Sequence, residues 1–187
     1  MSLLRRLFLF CLLLLVSACS SLPQRQEFEL VHVVDGDSLF LRALECPEEE
    51  CPKTEIRLLG LDAPEYSQDP WGLEAREFLL TTLEAAEHIY IETDIEERDK
   101  YKRLLGYLFV ERQGRVFLVN EMILDQGHAL LFHIEPNSKY LTRLKAAEAR
   151  AKTKRVNIWD RQEGLDLSPY KYRQQQKKLK GNNGDKK

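Results

Sequence analysis

The sequence predicts a small α+β domain, and three observations carry that prediction. Strand-like runs come first and helical runs later, with the first helix after the third of five strands. The elements do not alternate strictly as βαβ units do. No internal repeat and no second domain is visible in a chain of 187 residues. Among small α+β architectures, a five-stranded OB-type barrel fits that order best.

Each element has a local reason. Residues 28–34 and 38–44 are strand-like and flank Asp35-Gly36-Asp37, a turn composition. Residues 55–61 form a third apolar run. Asp69-Pro70 offers an N-cap with proline at the first helical position, and Ala75, Leu79, Leu83 and Ala86 recur at helical spacing, predicting a helix to about Glu87. Residues 88–93 and 104–110 are two more strands, joined by a charged loop. Residues 119–126 predict a short helix stopped by Gly127. Ser138 is placed to cap a third helix through about Lys154, with Leu141, Leu144 and Ala151 inward.

The two ends read differently from the middle. Arg5 and Arg6 precede the apolar run 7–16, followed by Ser17-Ala18-Cys19-Ser20. A positive start, a ten-residue apolar stretch and small residues before a cleavage point make an export signal. The run is too short for a membrane span, which needs ~20 apolar residues. Val16-Ser17-Ala18-Cys19 also resembles a bacterial lipobox, in which the cysteine is lipidated and becomes the mature N-terminus. Ser20 after it resembles the outer-membrane sorting pattern. The expectation is therefore a signal over 1–18, a linker over 19–26 behind lipidated Cys19, and a globular domain over 27–160. A basic tail rich in Gln, Lys, Gly and Asn over 161–187 is expected to be disordered. The protein is expected to be exported and lipid-anchored to the bacterial envelope, at the outer membrane or periplasm, or secreted. Nothing points to an oligomer.

Composition excludes some functions. Hydrophobic residues at 43% and charged residues at 31% are a globular balance, and a formal charge of −2 argues against nucleic-acid binding by bulk charge. Four unclustered cysteines and four histidines argue against a multi-zinc protein. Cys46 and Cys51 flank Pro47-Glu48-Glu49-Glu50 between two apolar runs. In an oxidising compartment a disulfide pinching a hairpin tip is the natural reading, since zinc would need two more ligands.

Chemistry-bearing residues gather in three stretches. Asp35-Gly36-Asp37-Ser38 opens a strand. Arg57-Leu58-Leu59-Gly60-Leu61-Asp62-Ala63-Pro64-Glu65 closes the third. Asp99-Lys100-Tyr101-Lys102-Arg103 leads into the fifth. Carboxylates are hard oxygen ligands suited to Ca²⁺ or Mg²⁺. Arginine forks match phosphate oxygens two at a time. A divalent ion with guanidinium groups is what a phosphodiester centre needs to hold developing charge. Arg57 interrupts an apolar strand, where a buried charge demands a partner; a salt bridge to Glu55 or Glu65 and a bound ligand both satisfy that demand.

Taken in order, these stretches resemble the staphylococcal nuclease (thermonuclease) family. The likeness runs from about Phe28 to Trp159 and includes Val119-Asn120-Glu121, Gln126-Gly127 and Asn157-Ile158-Trp159. It implies an OB-fold barrel with three helices and a Ca²⁺-dependent nuclease cutting DNA and RNA with little sequence preference. It further implies that Asp37, Asp62 and the Ala63 carbonyl hold Ca²⁺, with Asp35 behind them. Glu65 is the implied general base. Arg57 and Arg103 grip the scissile phosphate, Tyr101 and Lys100 add phosphate contacts, and the products carry 3′-phosphate ends. Three departures stand out. Lys102 replaces a usual glycine, Gln68-Asp69 replaces a lysine-rich loop, and His133 and Glu135 stand where an aromatic base platform is common. His32, His88 and His128 read as structural. The competing class is an OB-fold lipoprotein that binds nucleic acid and cuts it weakly; such modules typically lose the carboxylates or arginines that this chain keeps. A structural envelope lipoprotein has only the export signal and the basic tail in its favour.

Overall fold

The computed structural model describes residues 26–46 and 51–184. The expected export signal over 1–18 and the expected lipidation site Cys19 lie outside the described residues. The strands are β1 (Glu27–Val33), β2 (Ser38–Ala43), β3 (Thr54–Leu58), β4 (Gly60–Asp62), β5 (His88–Glu92), β6 (Leu104–Arg112), β7 (Arg115–Leu118) and β8 (Leu130–Phe132). The helices are α1 (Trp71–Glu84), α2 (Val119–Asp125), α3 (Leu141–Lys154) and α4 (Pro169–Gly184), with a 3₁₀ turn at Asn157–Trp159.

The main sheet runs β3-β2-β1-β5-β6-β7, and β3 also pairs with β6 in parallel. That last pairing closes β1, β2, β3, β5 and β6 into a five-stranded barrel, the OB-type closure that leaves those strands no free edge. Leu39, Leu41, Ile56, Leu58, Leu105, Leu108 and Val110 are buried from the strands. The helices cover them with Ala75, Leu79 and Leu83 from α1, Val119, Ile123 and Leu124 from α2, and Leu144 and Ala147 from α3. The apolar spacing that predicts the helices is therefore the spacing that fills the core.

Several expectations change. The third apolar run is two strands, because the chain turns at Gly60 with φ +78°, and a Cβ there would sit 2.3 Å from Leu144 Cδ1. That kink releases β4 from the barrel to pair with β8, Asp62 opposite Leu130. β8 is only three residues long and β7 exposes three of its four, so neither shows a period-2 signal. The β6–β7 turn is Gln113-Gly114, both at positive φ. Pro70, not Asp69, is the cap residue of α1, and no side chain caps that helix. Tyr140, not Ser138, is the cap residue of α3, and no side chain caps that helix; Ser138 contributes only its carbonyl, which accepts the Leu141 N–H at 3.0 Å. Cys46 and Cys51 are disulfide-bonded across the β2–β3 connection, with Cα atoms 6.1 Å apart.

Four α-helices replace the expected three among the described residues, because the segment expected as a disordered tail is α4. Its Arg, Gln, Lys and Leu residues are strong helix formers. Ser168 starts the helix, its carbonyl accepting the Tyr172 N–H at 2.9 Å. Contacts to the barrel domain, described below, supply the tertiary hold that composition does not reveal.

Candidate active site

The site grows from two chain reversals. At the first, between β1 and β2, Asp35 Oδ1 accepts the Asp37 N–H at 2.9 Å, while the Val34 and Asp35 N–H groups reach the Ser38 carbonyl. Gly36 is required by proximity: a Cβ there would lie 2.7 Å from Ala75 Cβ and 2.8 Å from Ala63 Cβ. The turn is thus pressed between α1 and the chain leaving β4, which brings Asp37 to the second reversal.

Asp37 and Arg57 form the buried centre. They are 6% and 9% exposed. The register pairs Ser38 with Arg57 across β2 and β3, setting the preceding Asp37 beside the guanidinium. Arg57 Nη1 lies 2.9 Å from Asp37 Oδ1 and donates to the Leu58 carbonyl at 3.0 Å, while Nη2 donates to the Leu61 carbonyl at 2.6 Å. The partner of Arg57 is therefore Asp37, and neither Glu55 nor Glu65. A guanidinium carries five N–H donors, more than these three acceptors use. Asp37 also accepts the Ser38 hydroxyl at 2.9 Å and, on Oδ2, the Ala63 N–H at 2.7 Å. The described tie of Ala63 to Asp37 is thus through its N–H.

Asp62 and Glu65 lie at the end of β4 and on the chain leaving it. Asp62 ends β4 and is 5% exposed. Burial pushes its carboxyl above the usual carboxylate value, against the opposing pull of Arg173. Asp35 is pushed up to about 7, chiefly by burial and then by the charge of Asp37. Cations already lie against two of these carboxylates, Arg57 on Asp37 and Arg173 on Asp62. Glu65 is half-buried and held through its backbone. Its N–H donates to Gln68 Oε1 at 3.0 Å, and its carbonyl accepts the Gln68 N–H at 2.7 Å. Gly72, in the first turn of α1, packs so tightly here that a Cβ would be 2.0 Å from the Glu65 carbonyl oxygen.

The third stretch is a self-contained loop. Asp99 Oδ1 accepts the N–H groups of Tyr101 at 2.9 Å and Arg103 at 3.0 Å, and Asp99 Oδ2 takes the Arg103 Nε–H at 2.8 Å. Burial pushes the Asp99 carboxyl up, but the bonds and charge of Arg103 together hold it below the usual value. Lys102 adopts φ +67°, the left-handed conformation that favours glycine, so the loop accommodates lysine without giving up that turn. Tyr101 is 69% exposed, with Lys100 Nζ 5.1 Å and the Arg103 guanidinium 5.7 Å from its ring centroid. Leu105 of β6 pairs with Arg57 of β3, so Arg103 approaches from the strand next to Arg57.

The structure thus joins Asp35, Asp37, Arg57 and Ala63 in one hydrogen-bonded group, joins Asp62 and Glu65 through Arg173 in a second that follows it along the chain, and leaves Lys100, Tyr101 and Arg103 in a separate loop. Among the described residues, no three His, Cys, Asp or Glu side chains converge into a ready-made metal cluster. The donor set is nonetheless all hard oxygen, which suits Ca²⁺. A guanidinium from α4, Arg173, already sits on two of those carboxylates. His133 and Glu135 are exposed just past β8, next to Phe132, which is 46% exposed. His32 stacks on Phe40 at 4.6 Å, His88 pairs with Glu27 at 2.7 Å, and His128 stacks on Phe78 at 4.5 Å. Gln68, Gly72 and Arg173 are site residues that the sequence reading does not select. A glycine in the first turn of a helix is the only sequence signal any of them offers.

The chain is similar in sequence to known proteins. Residues 55–161 match the family model of the staphylococcal nuclease homologues. The chain is 28% identical over 148 residues to a thermonuclease of Staphylococcus hyicus, covering 76% of this chain and 81% of that protein. It is 30% identical over 148 residues to a thermonuclease of Staphylococcus intermedius, covering 76% and 82%. It is also 29% identical over 153 residues to the endonuclease YhcR of Bacillus subtilis, covering 75% of this chain and 12% of that protein.

Proposed function

The chain belongs to the staphylococcal nuclease family, and on that premise we propose that it hydrolyses phosphodiester bonds of DNA and RNA in a Ca²⁺-dependent reaction with little sequence preference. The observation that carries this reading is the buried Asp37–Arg57 pair, which sets an acid and a guanidinium side by side and is tied through the Ala63 N–H to the stretch that carries Asp62 and Glu65. Asp37, Asp62 and the Ala63 carbonyl are the groups to hold Ca²⁺, which supplies Lewis-acid stabilisation of charge on the phosphate oxygens.

The remaining chemistry belongs to the chain. Glu65 takes a proton from the attacking water as the new P–O bond forms. Arg57 and Arg103 donate to phosphate oxygens whose charge grows as the phosphorus becomes pentacoordinate. The P–O5′ bond then breaks, the 5′-oxygen takes a proton from solvent water, and the other product ends in a 3′-phosphate. Lys100 and Tyr101 contact neighbouring phosphates, which positions the strand without reading its sequence. Arg57 gains its force from burial, because a fixed donor in a poorly solvated site needs no reorganisation during reaction. In the same reading, residues 1–18 export the protein, lipid on Cys19 holds it to the bacterial envelope, and the domain works as a monomer beside the membrane.

Digestion of plasmid DNA and of a structured RNA by the soluble domain with Ca²⁺, followed by end-group analysis, tests the reading. Fragments of both nucleic acids bearing 3′-phosphates are expected. Retention of DNA and RNA without cleavage would instead favour the binding module.

A further inference from the structure

The C-terminal segment reaches back into the candidate site. Arg173 donates from Nη1 to Glu65 Oε1 at 2.7 Å and from Nη2 to Asp62 Oδ1 at 2.9 Å, so a single planar fork bridges two carboxylates 108 and 111 residues earlier in the chain. More contacts seat the same segment. Gln68 Nε2 donates to the Leu167 carbonyl at 2.9 Å. The Tyr172 hydroxyl bonds the carbonyl of Ser67 at 3.2 Å and its Oγ at 3.0 Å. Every partner lies in residues 62–68, the stretch that carries Asp62 and Glu65. The Asp62 side chain is 6% exposed beneath an Arg173 side chain that is 39% exposed, so the guanidinium forms the lid of that carboxylate.

We propose that Leu167 to Arg173 form an internal latch in which the Arg173 guanidinium competes with Ca²⁺ for Asp62 and, in the same position, occupies the general base Glu65. Binding of the cation then undocks the start of α4. The proposal rests on the Ca²⁺ reading above. Its physical basis is that carboxylate oxygens engaged by a guanidinium cannot be given over to a divalent ion without losing those bonds. Two cations packed against one buried carboxylate also repel. Linkage makes the effect reciprocal: whatever Arg173 subtracts from Ca²⁺ affinity, Ca²⁺ subtracts from docking of the segment. Basic side chains of α4 are carried along by the same movement, but the latch itself needs only Arg173 and its seat.

Calcium titration calorimetry without nucleic acid, on the chain lacking only residues 1–19, tests this on wild type, Arg173→Gln and Tyr172→Phe. Tyr172→Phe loosens the seat without touching either carboxylate, so it stands if Arg173→Gln folds poorly. Arg173→Gln is expected to bind Ca²⁺ at least ~5-fold more tightly, the lower end of typical coupling between sites, and Tyr172→Phe to shift the same way by less. In parallel, hydrogen exchange of residues 168–176 in wild type is expected to quicken when Ca²⁺ saturates. Equal Ca²⁺ affinity in the three proteins with unchanged exchange would overturn the latch and leave the calcium reading standing. Weaker Ca²⁺ binding by Arg173→Gln would overturn it too, making Arg173 a support of the metal site. Absence of Ca²⁺ binding in all three would overturn the calcium reading and the latch with it.

Discussion

Asn120→Ala should cost the protein about 4 kcal/mol of stability, a figure that follows from two bonds. Asn120 lies in α2 and is fully buried. Its Nδ2 donates to the Leu59 carbonyl at 2.8 Å and its Oδ1 accepts the Leu108 N–H at 2.8 Å. One amide therefore ties α2 to the corner between β3 and β4 and to the middle of β6. Alanine removes both bonds and leaves a buried N–H and a buried carbonyl dry, at ~1–3 kcal/mol each. The sum, ~2–6 kcal/mol, is a large part of the 5–15 kcal/mol typical of a folded domain. Asn120→Asp keeps the acceptor for Leu108 but turns a second acceptor on the Leu59 carbonyl. It should be at least as damaging at pH 7 and recover partly in acid, when the protonated carboxyl can donate. Urea unfolding followed by tryptophan fluorescence and far-UV circular dichroism measures both. A loss below ~1 kcal/mol for Asn120→Ala, at unchanged slope, would refute the reasoning.

Other perturbations separate chemistry from scaffold. Arg57→Lys and Arg103→Lys each keep a charge but lose the planar fork, so kcat should fall by at least ~10²-fold while DNA affinity changes much less; steady-state kinetics beside a binding titration checks this. Gly72→Ala should destabilise by ~1–3 kcal/mol and lower kcat, since its methyl group displaces the Glu65 backbone. Gly114→Ala, at positive φ but with nothing within 4 Å of the new methyl, should cost ~1 kcal/mol and leave kcat alone. Burial lowers His128 to about 4 from an ordinary 6.5, so the unfolded chain binds the extra proton more readily between those values. Stability from this group is complete above pH 6.5 and is lost as pH falls toward 4. Urea unfolding at pH 7 and pH 4 should show wild type losing ~2–3 kcal/mol more than His128→Phe.

What the sequence discloses here is local, and what it hides is long-range. Arg57 stands out because a charge breaks an apolar strand, yet its partner depends on the β2–β3 register, which pattern alone does not reveal. Arg103, by contrast, is satisfied within its own loop by Asp99, four residues away. The five barrel strands and three core helices are legible from periodicity, because their apolar faces fill the core. The split at Gly60 is hidden, because an apolar run through a kink looks like a single strand. Gln68 works through a buried amide in a polar turn, and composition gives such a residue no mark. Arg173 sits in a basic stretch that looks solvated until its contacts with Asp62 and Glu65 are known.

The central claim is that Asp37, Asp62 and Glu65 serve a metal-dependent cleavage of phosphodiester bonds. The most direct measurement is the rate of plasmid cleavage by wild type and Asp62→Ala as Ca²⁺ is titrated and then chelated. Wild type is expected to cut with half-saturation near the ~10⁻⁴–10⁻³ M range of extracellular Ca²⁺ sites, to stop in excess chelator, and to outpace Asp62→Ala at every concentration in that range. Undiminished cleavage in chelator, or an Asp62→Ala variant as fast as wild type, would contradict the account.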